Sequence, residues 1–380
     1  MGILDTPAYS RAQADAIFAR PQRSSRTIVL GDSIDAGTPT GWYHYYTLQL
    51  GKIQQIRNAG IGGNTTTQML ARIQADVLDY APDVVILGGF TNDTDPANGV
   101  SAATTRSNIK TMVGMVRAAG ALPVLRTAPP INAGDAARTQ LTLTQNAWLK
   151  QYGISQGIEV LDIYQAVADP STGQFAAGIS DDGVHPTEIG AKAIADYLLA
   201  QPTPAAFRGS HQFARAATDE SNMVVNGVFV GDTDANGLAN NMVAAGTATY
   251  SLAAAETGVS GNWQRVTTAS ATAGSFRTST ISATSSGRTV WTIGDRFSVA
   301  GRIRTSGGGS ALVRLTFTGV GTTTDVVRPL TRAISNGVFS GEYTIPTGTT
   351  GIQLMVQNSG AAGWVEVAEV ALRNLTQLSV

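Results

Sequence analysis

A few residues in this chain are of types and spacings that could carry nucleophilic chemistry. Ser33 follows the apolar run Ile28-Val29-Leu30, which Gly31-Asp32 brings to a stop. A serine in such a place is a candidate nucleophile only if a base and an oxyanion hole converge on it. Asp182 and His185 stand three residues apart in Asp181-Asp182-Gly183-Val184-His185-Pro186. In a glycine-containing loop a turn can bring carboxylate and imidazole together, fixing the tautomer and leaving the other ring nitrogen free as a base. Asn92, in Gly88-Gly89-Phe90-Thr91-Asn92-Asp93, offers an uncharged amide donor of the kind oxyanion holes use. In Asn58-Ala59-Gly60-Ile61-Gly62-Gly63-Asn64 the glycines let backbone N–H groups approach a ligand at a helix start. Each segment also has a plainer reading: a Gly-Asp-Ser turn, aspartates capping a helix, Asx turns, tight-turn glycines. The coincidence favours chemistry, because the four segments follow one another in order and three come directly after predicted strands. The other histidines, His44 and His211, fall in an aromatic helix and a connecting stretch and are read as structural.

The elements that must position these residues alternate. Strands are predicted at 28–30, 53–57, 84–87, 122–127 and 158–161, as short apolar runs bounded by turn residues. Helices are predicted at 40–50, from about 65 to 78, around Ile109-Met112-Val113-Val116 up to Gly120, at 141–152 and at 188–199. Five strands interleaved with helices imply a parallel sheet covered on both faces. Ser33 then lies beyond the carboxyl end of a buried strand, where open α/β sheets place their ligands.

The four blocks together resemble those of the SGNH (GDSL-type) hydrolase family over roughly residues 26–200. The resemblance implies a three-layer α/β/α, flavodoxin-like hydrolase domain with a five-stranded parallel sheet. It implies Ser33 as nucleophile, His185 as general base and Asp182 as the residue that orients it. The N–H groups of Ser33 and Gly63 and the side chain of Asn92 would form the oxyanion hole. Aligning the second block from its asparagine selects Gly63 over Gly60 and Gly62. In the third block Phe90 stands where the family has glycine, so the loop before Asn92 is shifted or one residue longer.

Beyond residue 200 the composition changes. No lysine follows Lys192, and Thr, Ser and Gly become frequent. Residues 201–221 read as a linker with Pro202 and Pro204, and residues 222–380 as a β-sandwich. Period-two runs at Phe297/Val299/Ile303, Val313/Leu315/Phe317 and Ile352/Leu354/Val356 imply antiparallel strands. Asn226-Gly227-Val228-Phe229 and the Asp232–Gly237 stretch resemble the start of carbohydrate-binding jelly rolls. Asp232, Asp234 and Asn236 also match the first half of a calcium loop, but Val243 occupies the twelfth position, and an Asx turn is the preferred account. Trp263, Trp291 and Trp364 could stack on sugar rings or pack in the core; no one of them is singled out.

Residues 1–25 form an N-terminal segment. A short helix is expected at 9–20, worded like phrases that recur in bacteriophage tail-fibre and tailspike proteins. Met1-Gly2 with Thr6 matches a myristoylation pattern, read here as coincidence. The formal net charge of -1, with 14% charged residues, leaves no electrostatic footprint for nucleic acid. No stretch reads as membrane-inserting, and no signal peptide is visible. Without cysteine, thiol and disulfide chemistry are excluded. The expectation is a two-domain serine esterase needing no metal or organic cofactor. Its substrate would be an acetylated polysaccharide or another short-chain acyl ester, at an extracellular or virion surface, with a homo-oligomer open. The alternatives are a glycan-binding adhesin or phage tail component with a vestigial hydrolase fold, and a short-chain lipase or thioesterase.

Overall fold

The structure is a computed structural model that describes residues 24–37, 41–132, 136–209, 211–254, 256–270, 272–285 and 288–376. The helix expected at 9–20 lies outside the described residues. The chain divides into two compact units, Met1–Tyr46 with Gln55–Ser210, and Thr47–Gln54 with His211–Val380.

In chain order the α/β part consists of β1 (Ser25–Gly31), α1 (Ser33–Ala36), α2 (Trp42–Leu50), β2 (Ile53–Gly60), α3 (Thr66–Asp76), β3 (Val84–Leu87), α4 (Ala102–Ala118), β4 (Leu122–Arg126), α5 (Ala136–Gln156), β5 (Val160–Leu161), α6 (Ile163–Val167) and α7 (Glu188–Ala200). The strand order is β5-β4-β3-β1-β2. β1 pairs in parallel with β3, β3 with β4 and β4 with β5, in the register Val29↔Ile86, Ile86↔Val124 and Leu125↔Val160. β1 and β3 are buried along their whole lengths, as a sheet covered on both faces requires. The chain passes from β1 to β2 on one side and then to β3 on the other. The order therefore reverses at β1, and a crevice opens beyond its carboxyl end.

The helices start where polar residues can cap them. The run Asn64-Thr65-Thr66-Thr67 offers several caps; Thr65 takes the role, with Gln68 Oε1 accepting the Thr65 N–H at 2.8 Å. Ile109, Met112, Val113 and Val116 of α4 pack with Ile28, Leu30, Met69, Ile73 and Val85 in one core. Several boundaries differ from expectation; the strand expected at 53–57 runs Ile53–Gly60. The helix expected at 141–152 runs Ala136–Gln156, and the last strand shrinks to two residues. Ile158 donates its N–H to Gly153 O at 2.8 Å, so it closes the helix instead of joining the sheet.

The second unit is all-β: β6 (Met242–Gly246), β7 (Thr249–Ala253), β8 (Trp263–Thr268), β9 (Gly274–Thr278), β10 (Thr284–Ser285), β11 (Arg288–Thr289), β12 (Arg296–Thr305), β13 (Ser310–Thr318), β14 (Thr322–Leu330), β15 (Ile334–Thr344), β16 (Gly351–Ser359) and β17 (Gly363–Asn374). The strands run β15-β12-β17-β8-β7 in one sheet and β14-β13-β16-β9-β6 in another, with antiparallel pairings. Burial alternates along β13 and β16 as the period-two runs require. Phe297 of one sheet meets Phe317 of the other edge-to-face, ring centroids 6.2 Å apart.

The stretch read as a linker carries contacts at both ends. Ser25 donates its N–H to Arg208 O at 3.0 Å and its hydroxyl to Ala206 O at 3.1 Å, beside a buried Phe207. Further on, Met223 donates to Leu372 O at 2.8 Å, and Arg373 Nη2 lies 2.8 Å from Asp219 Oδ2. Asp232 accepts the N–H groups of Asn236 (3.1 Å) and Gly237 (2.9 Å), which is turn chemistry. No metal-holding group of three His, Cys, Asp or Glu occurs among the described residues. Trp263 and Trp291 are buried, the latter donating to Ile281 O, and the Arg265 guanidinium covers the Trp364 ring at 4.3 Å.

Candidate active site

Ser33 is the first residue of α1, one turn of helix at the end of β1. Asp32 caps that turn, its Oδ1 accepting the Ile34 N–H at 2.9 Å. The β2–α3 loop places Gly62 beside the serine, since a Cβ on Gly62 would sit 3.8 Å from Ser33 Cβ. Arg72 of α3 braces this loop, donating to Gly31 O (3.0 Å), Ala59 O (2.8 Å) and Asn64 Oδ1 (2.9 Å).

His185 comes from the loop before α7. Its Nε2 lies 2.8 Å from Ser33 Oγ, and its Nδ1 lies 2.7 Å from Asp182 Oδ2. With Nδ1–H donating to Asp182, Nε2 is left to accept the serine proton. Asp182 Oδ1 accepts the N–H groups of Val184 (2.8 Å) and His185 (2.7 Å), so the loop folds around the carboxylate. Partial burial works against ionisation there. The hydrogen bonds from His185 and Val184 outweigh it and hold the Asp182 carboxyl well below the usual carboxylate range. Thr187 anchors the loop by donating its N–H to Ile179 O at 2.8 Å and capping α7. The site is open: the His185 side chain is 47% exposed and that of Asp182 56%.

The third block adapts to Phe90 without losing Asn92. Phe90 turns into the core and is 1% exposed, while Gly89 takes φ +84 and makes the bend. Residues 91–94 then form a turn, and Asn92 Nδ2 donates to Asn64 O at 3.0 Å, next to the second block. An amide nitrogen carries two hydrogens, so one remains for a ligand. The neighbouring Asp93 is structural: its carboxylate accepts from Thr66 N (2.8 Å), Thr66 Oγ1 and Thr105 Oγ1 (2.8 Å). Among the glycines, the Gly60 N–H is occupied by Asn58 Oδ1 at 2.9 Å, which leaves Gly62 and Gly63 as donors. Gly63 has φ +78 and nothing near its missing Cβ.

The structure thus brings Ser33, His185 and Asp182 into one hydrogen-bonded chain, with the Gly62-Gly63 turn beside Ser33 and Asn92 bonded to that same loop. The arrangement can deprotonate a serine as it attacks a carbonyl and donate hydrogen bonds to the anion that forms. Sequence reasoning missed the buried Asp32, Asp35 and Arg126 beneath it. The available signal was an arginine closing an otherwise apolar strand, since buried charges come paired.

Residues 29–193 match the model of the GDSL-like Lipase/Acylhydrolase family. The uncharacterized lipoprotein YqeF of Bacillus subtilis (strain 168) is 38% identical over 84 residues, 21% of this chain and 35% of that protein, so the chain spans about a third of its length. A GDSL-like lipase from Bacteroides thetaiotaomicron VPI-5482 is 22% identical with TM-score 0.40, over 51% of this chain and 97% of that one. Axe2, an acetylxylan esterase from Geobacillus stearothermophilus, is 19% identical with TM-score 0.41, over 48% and 95%. Residues 29–193, which hold every residue of the site just described, are a domain of the GDSL-like lipase/acylhydrolase family.

Proposed function

We propose that this acylhydrolase domain is a serine esterase for short acyl esters, and that its substrates are O-acetyl groups on a polysaccharide. The observation that carries the reading is the continuous hydrogen-bonded chain from Ser33 Oγ through His185 to Asp182. In the reaction Ser33 Oγ attacks the ester carbonyl while His185 Nε2 takes its proton. The tetrahedral oxyanion accepts hydrogen bonds from Ser33 N–H, Gly63 N–H and Asn92 Nδ2. As the intermediate collapses, His185 gives its proton to the leaving sugar oxygen, which departs as a hydroxyl, and a water deprotonated by His185 then releases acetate from the acyl-enzyme. None of these steps calls on a metal or organic cofactor. The exposure of His185 and Asp182 supports the substrate class, because an open site admits an ester carried on a polymer.

The test is acetate release from a panel of O-acetylated polysaccharides, alongside 4-nitrophenyl esters of increasing chain length. Turnover of acetyl esters with a decline at longer chains is expected. Preference for long acyl chains would make the domain a lipase. Glycan binding without any turnover would make the chain an adhesin with a vestigial hydrolase fold.

A further inference from the structure

Beneath the serine lies a charged cluster that the reaction above does not use. Arg126, the last residue of β4, is 0% exposed, as is Asp32, and Asp35 is 1% exposed. Arg126 Nη2 donates to Asp35 Oδ2 and lies 3.6 Å from Asp32 Oδ1, while Nη1 donates to Thr127 O at 2.9 Å. Asp32 and Asp35 bracket Ser33 in sequence, so one guanidinium grips both ends of the serine's turn. Asn58 adds a strut from β2, its Nδ2 donating to Asp35 O at 2.8 Å. Two glycines make room for the cluster: a Cβ on Gly31 would overlap the Asp35 carboxylate, and one on Gly88 would overlap the Arg126 guanidinium.

Stability alone does not account for this arrangement. Buried ion clusters are often no better than apolar packing of the same volume, because desolvation offsets their attraction. Here two carboxylates share one cation, and Asp32 Oδ2 and Arg126 Nε are buried without a hydrogen-bond partner. Burial, opposed by Arg126 and reinforced by the Asp32 charge, pushes the Asp35 carboxyl up to about 6. A costly cluster at one point of the sheet needs another reason, and α1 supplies it. A single turn of helix has no stability of its own. Something must fix it if Ser33 Oγ is to stay in line with His185 and Ser33 N–H is to face the developing oxyanion.

We propose that Arg126 and Asp35 are positioning residues for Ser33, tying the one-turn helix that carries it to the end of β4. This rests on the reading of Ser33 as nucleophile. A displacement of about 1 Å at a reacting atom can cost about 10²-fold in rate. The test uses the full chain with Asp35→Asn, which keeps the shape and removes the charge, and Arg126→Lys, which keeps a charge and loses the fork. Three quantities are read: kcat and KM on 4-nitrophenyl acetate, the rate of covalent labelling by a fluorophosphonate, and thermal unfolding. Both variants are expected to unfold cooperatively while kcat and labelling rate fall together, by about 10²-fold for Asp35→Asn. KM should change little. A folded variant with unchanged kcat and labelling would overturn the proposal. Loss of cooperative unfolding in both variants would also overturn it, since the cluster would then hold the fold and not the serine. Wild-type protein that neither turns over nor labels would instead overturn the nucleophile reading, and the proposal with it.

Discussion

At the scale of single residues, the roles separate by what each removal should do. Ser33→Ala deletes one oxygen at a site the solvent reaches, so ester hydrolysis should vanish while the unfolding transition stays in place. Asn92→Ala removes the proposed oxyanion donor, and losing such a donor costs about 10²–10³ in kcat elsewhere. It also removes the bond to Asn64 O, so a drop in that range with KM little changed would assign the donor. Unchanged kcat would exclude Asn92 from the hole. Asp182 and Asp181 differ sharply: Asp182 alone touches the His185 ring, and Asp181 makes no hydrogen bond among the described residues. Asp182→Asn should therefore be severe and Asp181→Asn nearly silent in kcat/KM; the reverse would shift the orienting role by one residue. Under the proposed roles His185 must be neutral to accept the serine proton, so kcat/KM should fall on the acid side, and the buried Asp35 carboxyl, pushed up to about 6, adds an ionisation of its own there. Asp182 adds no ionisation of its own at ordinary pH, since its hydrogen bonds keep it charged far into acid.

At the scale of elements, the glycines around Ser33 carry a prediction that the proposed catalytic residues do not. Gly31 and Gly88 close β1 and follow β3, and each lies against a member of the Arg126 cluster. Gly31→Ala and Gly88→Ala should lower thermal stability and activity together. Gly63→Ala, with open space around it, should cost only the strain of a left-handed backbone, about 1 kcal/mol. A thermal melt of the three variants separates these outcomes. The strands and the order of the four blocks were legible in the sequence because buried parallel strands are continuous apolar runs, and Ser33 and Asn92 come soon after two of them; His185 was legible only through its spacing from Asp182 in a glycine-containing loop. The Arg126 cluster was not, because pairing across the sheet has no local pattern. Nor could Phe90 be placed: only the fold reveals that Gly89 makes the bend one residue early, so that Phe90 fills the core and Asn92 still reaches Asn64. The end of α5 was misjudged because the Ile158-Glu159-Val160-Leu161 run reads as strand, whereas Ile158 is spent on closing the helix.

At the scale of the whole molecule, acid tests the all-β unit and truncation tests the α/β unit. In the all-β unit the hydrogen bond from Arg373 chiefly holds the Asp219 carboxyl down to about 2, against partial burial. A folded-state value below the unfolded one means that its contribution is complete above about pH 4 and is lost as pH falls toward 2. Asp219→Asn should flatten the melting temperature of that unit across this window and leave it unchanged in slope above pH 5. Truncation tests the division of labour. The sequence suggests that the two cores form separately, with a clean cut near Gln201. The contacts argue for a later cut and a higher cost. Ala205 and Ala206 donate to the Glu159 carboxylate at 2.6 and 3.2 Å, and Ala206 and Arg208 bond to Ser25, so a chain ending at Gln201 loses the cover of β1's first residue. A chain ending at Ser210 keeps those bonds but loses the residues with which Thr47–Gln54 group, and α2 runs into that segment. Both truncated forms should therefore melt below the full chain, the Gln201 form lower. On a soluble acetate ester and on an acetylated glycan, the Ser210 form should lose turnover in equal proportion if its losses come from a loosened α2. A selective loss on the glycan, with the soluble ester still turned over, would instead mean that the all-β unit serves the domain by tethering it to the polymer and raising the local substrate concentration.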